Sequence, residues 1–527
     1  MRPLRPIAIR VVVAVACGIA TAVLGTTVAV ADDGPDLAAI DRYVRSEMEA
    51  QRIPGLALGI VHGDRIVHVQ GFGHADRAGR QVTPETPFLI GSVTKSFTAL
   101  AIMQLSEAGQ VQLDAPVQRY LPWWRVADPE ASTRVTVRHL LYQVSGLSKA
   151  TGNAYATSGD THDSALEDRV RALRDAELAQ PVGTTWQYSN ANYWTLGMIV
   201  QAVSGQSYET YIQQHIFDPL QMGNSYTSGT EAVQNGLPTG HRYWYGFPVA
   251  SELPFDRGGL GSAGLSSSAE DMTRYVGLYL NQGRYATTPL VSPAGAAELQ
   301  RAGVATGQDG VSYAMGWDIG QIHDTTAISH DGSGFDSHAN VVLIPDRGWG
   351  VVVMENGENS PDEFFGSRRM TGIAYGVAGM LIGEESPAPS SPSRLLWVVY
   401  GIVLAILAIQ VVGMVRSVRT IRTWQTVPSR RPTGALRIGL RVGLPLLVSW
   451  TWALLVLVGL PQVIRAPLPA VLMGLPDLGY PLLVSAVLAF GWGLARFIWA
   501  IRTLRTPPSG APGPLTDPTT DLIPANA

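Results

Sequence analysis

Three long apolar runs near the C-terminus constrain this chain more than any other feature. They occupy residues 395–415, 442–463 and 481–500, each close to the length a bilayer core about 30 Å thick demands of a helix, ~20 residues. Backbone inside lipid must satisfy its own hydrogen bonds, so three transmembrane helices are expected across 395–505. The preceding sequence is mixed polar and apolar and rich in glycine, which reads as a globular domain. Between the two parts, 384–394 begins with EESPAPSSPS, a proline- and serine-rich linker expected to be semi-rigid and to join neither core.

Charge sets the expected sidedness. The connector after the first run holds Arg416, Arg419, Arg422, Arg430, Arg431, Arg437 and Arg441, and the third run is followed by Arg502 and Arg505. The connector between the second and third runs holds only Arg465. By the positive-inside rule the arginine-rich connector and the tail 506–527, expected to be disordered, are cytoplasmic, which places the domain at 32–383 outside the cell membrane. The N-terminus agrees: Arg2, Arg5 and Arg10 precede an apolar stretch ending at Ala29-Val30-Ala31, a signal peptide over 1–31, with an uncleaved anchor as the alternative. Arg496, near the cytoplasmic end of the third run, is expected to snorkel.

Composition excludes several functions. Net charge is −4 with both signs dispersed, so no basic stripe points to nucleic acid. Cys17 is the only cysteine and lies in the leader, leaving the domain without a disulfide or thiolate site, and no His-Glu-x-x-His pattern occurs. No metal or cofactor is expected. Of 38 basic residues only two are lysines, Lys95 and Lys149. Where only positive charge matters this chain uses arginine. A retained lysine therefore marks a position needing an amine that can lose its proton, which arginine cannot do.

Within the domain, a helix is expected around 37–51 and hairpins at 55–62/65–71 and 340–344/349–354. Helices are expected between them at 92–108, 136–143, 193–204 and 269–280. Strands from both ends with helices between imply an α+β fold: an antiparallel sheet flanked by helices, beside a helical subdomain.

In Gly91-Ser92-Val93-Thr94-Lys95 the serine opens a helix, and the residue three positions on shares its face. A lysine partly stripped of water can then serve as base to the hydroxyl, while N–H groups at the helix start favour an oxyanion. Gln187-Tyr188-Ser189-Asn190 supplies a phenol able to relay a proton and an amide able to hold a substrate carbonyl or the lysine. His330-Asp331-Gly332-Ser333 precedes the last hairpin; a strand edge with glycine there admits substrate backbone, and the Ser333 N–H could complete an oxyanion hole with that of Ser92. His241 reads equally as a pocket residue or a structural one, and the aromatic stretch 243–247 is expected to help wall the pocket.

The order and spacing of these three motifs, with Pro87-Phe88-Leu89-Ile90 before the first and Thr136-Val137-Arg138-His139-Leu140-Leu141 and Ser145-Gly146-Leu147 between, resemble the class C type β-lactamase-like and penicillin-binding-protein-like serine hydrolases over about 37–383. The resemblance implies a β-lactamase-like fold with Ser92 as acyl-enzyme nucleophile and Lys95 with Tyr188 as the proton-handling pair. Asn190, His330, Gly332 and Ser333 would bind substrate. His330 and Gly332 fall where many lactamases carry Lys-Thr-Gly, a departure similar to the peptidase and esterase branches. The layout also resembles membrane-anchored peptidases that remove an N-acyl-D-amino-acid cap from non-ribosomal peptides. The expected partners are thus a small peptide or acyl-peptide and the lipid bilayer; cell-wall peptide is another substrate. An esterase, a weak β-lactamase, and a penicillin- or muropeptide-binding sensor are the alternatives, and oligomeric state is left open.

Overall fold

The computed structural model describes residues 34–361 and 369–506. The expected signal peptide at 1–31 and almost all of the expected tail at 506–527 lie outside these.

An eight-stranded antiparallel sheet organises the domain. Its strands, in chain order, are β1 (Gly55–His62), β2 (Arg65–Gly73), then, after the separate two-stranded ribbon β3 (Gly240–Trp244) and β4 (Phe247–Ser251), β5 (Val304–Ala305), β6 (Ser312–Tyr313), β7 (Asp318–Ile322), β8 (Thr325–Ser333), β9 (His338–Ile344) and β10 (Trp349–Glu355). They lie side by side in the order β2-β1-β10-β9-β8-β7-β6-β5. The N-terminal hairpin therefore joins the sheet along the last strand, with Leu58 opposite Val353. Both expected hairpins form at the expected places. The strands at 304–333 were not anticipated as a group, because short strands with polar alternation resemble loops.

Successive side chains point to opposite faces of a strand, so β10 sends Val351 and Val353 one way and Val352 and Met354 the other. Both sides are covered. On the first, Ile40, Tyr43 and Val44 of α1 (Leu37–Gln51) meet Met370, Ile373 and Val377 of a C-terminal helix (Arg369–Leu381). On the second lie α2 (Thr94–Glu107), α3 (Asn190–Ser204) and α4 (Ala269–Leu280). A strand buried on two faces reads as an unbroken apolar run, which is how Val351-Val352-Val353-Met354 appears. Burying each such side chain contributes roughly 1.5–3 kcal/mol.

Residues 384–393 carry no regular structure, yet the linker is not free of the domain: Ser390 donates from its N–H at 2.9 Å to the carboxylate of buried Glu47 on α1. Three helices long and apolar enough to cross a membrane follow, Arg394–Thr426, Ala435–Ile464 and Pro476–Arg505. Each extends beyond its apolar run because the flanking arginine-bearing turns remain helical.

Candidate active site

The first motif sits where the sheet meets the helical side. Gly91–Val93 form a tight turn that runs directly into α2. Gly91 adopts φ +49°, and a β-carbon there would lie 2.9 Å from the Gly332 carbonyl carbon and 3.1 Å from the Ser333 nitrogen. A β-carbon on Gly332 would lie 2.0 Å from the Ile90 oxygen and 2.9 Å from the Ser92 nitrogen. The two glycines thus let the end of β8 press against the serine turn, bringing together the Ser92 and Ser333 backbone amides expected to form an oxyanion hole.

Lys95 is fully buried, with Nζ 2.9 Å from Ser92 Oγ and donating at 2.8 Å to the Ser262 carbonyl. Burial pushes its pKa well below the ordinary lysine value, opposed in part by the charge of Asp331. Tyr188 lies with its ring 4.8 Å from Lys95 Nζ. Its phenol is pushed well above its ordinary pKa by burial, against a hydrogen bond with Ser92 that acts the other way. Ser92 itself is only partly buried, so the serine is reachable while the amine beside it is shut from water.

The loop carrying Tyr188 is held from behind. Gln143 accepts from the Ser189 N–H at 3.0 Å and from the Asn192 amide, and Ser145 donates to Asn192 Oδ1 at 2.5 Å. The Ser145-Gly146-Leu147 segment is therefore scaffolding for the second motif. Asn190 begins α3 and contacts the Gly152 carbonyl at 3.4 Å, while its Oδ1 is buried without a partner. It does not hold the lysine; the Ser262 carbonyl does. Ser262 belongs to the glycine-rich stretch 258–264, which offered no sequence signal beyond its turns.

His330 is buried on β8, with Nδ1 2.6 Å from the Asp331 carbonyl and its ring 6.4 Å from that of Tyr188. A carbonyl only accepts, so Nδ1 carries the proton and Nε2 presents a lone pair. Burial lowers the imidazole pKa, which keeps the ring neutral. His241 lies on β3 with Nδ1 2.9 Å from the Asn356 carbonyl and lines neither cavity at the site. The aromatic stretch 243–247 also departs from expectation. Tyr243 is buried with its hydroxyl donating to the Arg52 carbonyl at 3.1 Å, Trp244 stacks against Tyr480 of the third apolar helix, and the Tyr245 ring lies tilted by 59° against Tyr400 of the first.

Two cavities flank the serine turn. One, about 610 Å³, is lined by Ser92, Tyr188, His330, Asp331 and Ser333, together with Lys149. The other, about 700 Å³, takes in Asn190, Trp194, Phe255 and Gly264 and shares Ser333 and Phe335 with the first. The end of the second apolar helix and its connector to the third reach both: Ile464 of the helix and Ala470, Val471 and Leu475 of the connector line the smaller and Met473 the larger. That contribution went unread in the sequence, where a short apolar connector passes for the margin of a span.

The Beta-lactamase family model matches residues 40–374. The protein flp of Staphylococcus aureus (strain MW2) is 28% identical over 321 residues, covering 60% of this chain and 62% of that protein, so the chain spans less than two thirds of that relative's length. Penicillin-binding protein 4 of Amycolatopsis lactamdurans is 30% identical over 351 residues, covering 64% of this chain and 89% of that one. Among solved structures, an octameric penicillin-binding protein homologue from Pyrococcus abyssi is similar with a TM-score of 0.59 at 28% identity, covering 67% of this chain and 79% of the other.

Proposed function

Since this chain belongs to the beta-lactamase family of penicillin-binding-protein-like serine hydrolases, we propose that it is a membrane-anchored, extracytoplasmic peptidase or amidase. It acts through an acyl-serine on peptides containing D-amino acids, such as those bearing an N-acyl cap. The observation that carries the chemistry is the buried amine of Lys95, held between Ser92 Oγ at 2.9 Å and the Ser262 carbonyl at 2.8 Å.

In this reading the carbonyl fixes one N–H of a neutral amine, leaving its lone pair for the Ser92 proton. Oγ attacks the substrate carbonyl while the Ser92 and Ser333 N–H groups hold the oxyanion. The proton passes by Lys95 and Tyr188 to the departing amine, the C–N bond breaks, and an ester to Ser92 remains. Water, deprotonated by the same pair, then attacks that ester and releases the acid and the serine.

Two features favour an acylated peptide over a β-lactam. Neutral His330 stands where a lactamase lysine would supply a positive charge, and a site without that charge is poorly suited to the carboxylate of a β-lactam. Ile464 at the end of the second helix and the connector residues Ala470, Val471 and Leu475 give the smaller cavity an apolar side suited to an acylated substrate. The arginine-rich connector, expected on the cytoplasmic side by the positive-inside rule, supports an extracytoplasmic position for the domain.

The test is a matched pair of N-acyl dipeptides differing only in the configuration of the residue that donates the acyl group to Ser92. The full chain in detergent should cleave the D form and spare the L form. Cleavage of esters alone, with neither peptide touched, would reassign it as an esterase.

A further inference from the structure

The ribbon β3–β4 turns through Tyr245-Gly246, with Trp244 paired to Phe247. Both turn residues have positive φ, +52° and +77°, the geometry of a two-residue turn usually built from Asn-Gly or Gly-Gly. A tyrosine in that region carries a backbone cost, which the surroundings must offset. They do so from the membrane helices. The Tyr245 N–H donates at 3.0 Å to Asp477, in the first turn of Pro476–Arg505, and the Tyr400 hydroxyl donates to the same carboxylate.

Ring contacts fix the ribbon's height. Trp244 stacks on Tyr480 with centroids 5.6 Å apart, and Tyr245 meets Tyr400 at 5.1 Å. Tyr400 and Tyr480 both lie within the first two turns of their helices, at the ends nearest the domain. There Trp397 is 58% and Tyr480 42% exposed. Aromatic rings at the ends of transmembrane helices mark the headgroup level. The ribbon tip extends that belt with Tyr245, Phe247 and Val249, which are 39%, 59% and 43% exposed. Phe247 and Val249 alternate on one face of β4, and the Arg52 guanidinium, 4.5 Å from the Phe247 ring, also donates to the Gly246 carbonyl at 2.9 Å. An apolar tip with a cation beside it suits the boundary between acyl chains and anionic headgroups.

We propose that the tip of the β3–β4 ribbon, Tyr245 to Val249, is a membrane-interface element that inserts into the outer face of the bilayer beside the first and third membrane helices and fixes the domain against it. The occupant of this surface is lipid, because the ribbon is continuous with rings of helices that cross the bilayer. The inference rests on those helices being spans but not on the identity of the hydrolysed substrate.

The full chain carrying Cys17→Ser and single spin labels at Val249→Cys, Phe247→Cys, Glu130→Cys or Leu404→Cys is reconstituted in phosphatidylcholine–phosphatidylglycerol nanodiscs. Accessibility to oxygen and to a water-soluble nickel chelate is then compared. Label at 404 reports the span and label at 130 the aqueous domain. The proposal expects 249 and 247 to show several-fold greater oxygen preference than 130. Either position matching 404 in sign is enough should the other variant misfold. If 404 is oxygen-rich while 249 and 247 match 130, the ribbon is aqueous and the proposal is overturned. A 404 label that matches 130 overturns the spanning reading, and the proposal with it.

Discussion

Lys95 Nζ lies 2.9 Å from Ser92 Oγ and 2.8 Å from the Ser262 carbonyl, so one buried amine joins the helix start to a glycine-rich loop far along the chain. Arginine at 95 keeps charge but cannot release a proton. Lys95→Arg should lower the rate of Ser92 acylation by about 10²–10⁴-fold, the ordinary range for loss of a positioned base. Stopped-flow measurement with an activated ester checks this, with circular dichroism confirming the fold. Because burial lowers the Lys95 pKa and the base must be neutral, acylation should fall as pH drops through that lowered value, well below the ordinary 10.5.

Tyr188→Phe removes the hydroxyl that would hand a proton to the leaving group. Amide hydrolysis should fall by about 10²–10⁴-fold, and hydrolysis of an ester with a good leaving group by much less. Steady-state kinetics on an amide–ester pair with the same acyl group measures the ratio. Equal losses would mean that Tyr188 acts on Ser92 alone.

Gly332→Ala tests the close approach of β8 to the serine turn. Its new β-carbon would fall 2.0 Å from the Ile90 oxygen, so strand and turn must separate and the two amides with them. A loss in kcat of about 10²–10³-fold is expected, the cost of one oxyanion donor. KM should change little.

Away from the serine, His338 is buried with Nδ1 3.0 Å from the carboxylate of buried Glu358. Burial lowers its pKa, but the Glu358 hydrogen bond and charge outweigh that and raise it to about 10. A raised folded-state value means this pair's stabilisation is complete below the unfolded histidine value, about 6.5, and is lost as pH rises from there towards 10. Glu358→Ala should cost about 3–5 kcal/mol near neutral pH, because the buried histidine loses its hydrogen-bonded carboxylate partner. Thermal unfolding followed from pH 6 to 10 should show a decline in the parent chain that the variant lacks.

What was legible in the sequence follows from periodicity and chemistry. Strands such as Val351 to Met354 and a terminal helix such as Leu37–Gln51 carry their own signals, and Ser92 with Lys95 stood out because lysine is so rare in this chain. Ser262 could not be seen, since it acts through a backbone carbonyl that any residue offers. Nor could Val471 or Leu475, whose apolar character suits a connector between apolar helices and a cleft wall alike. Tyr243 to Phe247 point elsewhere for a related reason: aromatic residues suit a pocket and a packing surface against other helices equally, and only tertiary packing separates the two.

The most direct test is intact-mass spectrometry of the full chain mixed with an acyl-D-amino-acid peptide and quenched at short times. The account predicts a mass gain equal to the acyl fragment, located by peptide mapping on Ser92, that decays as free acid appears and is absent in Ser92→Ala. Undiminished turnover in Ser92→Ala, or an adduct on another residue, would contradict it.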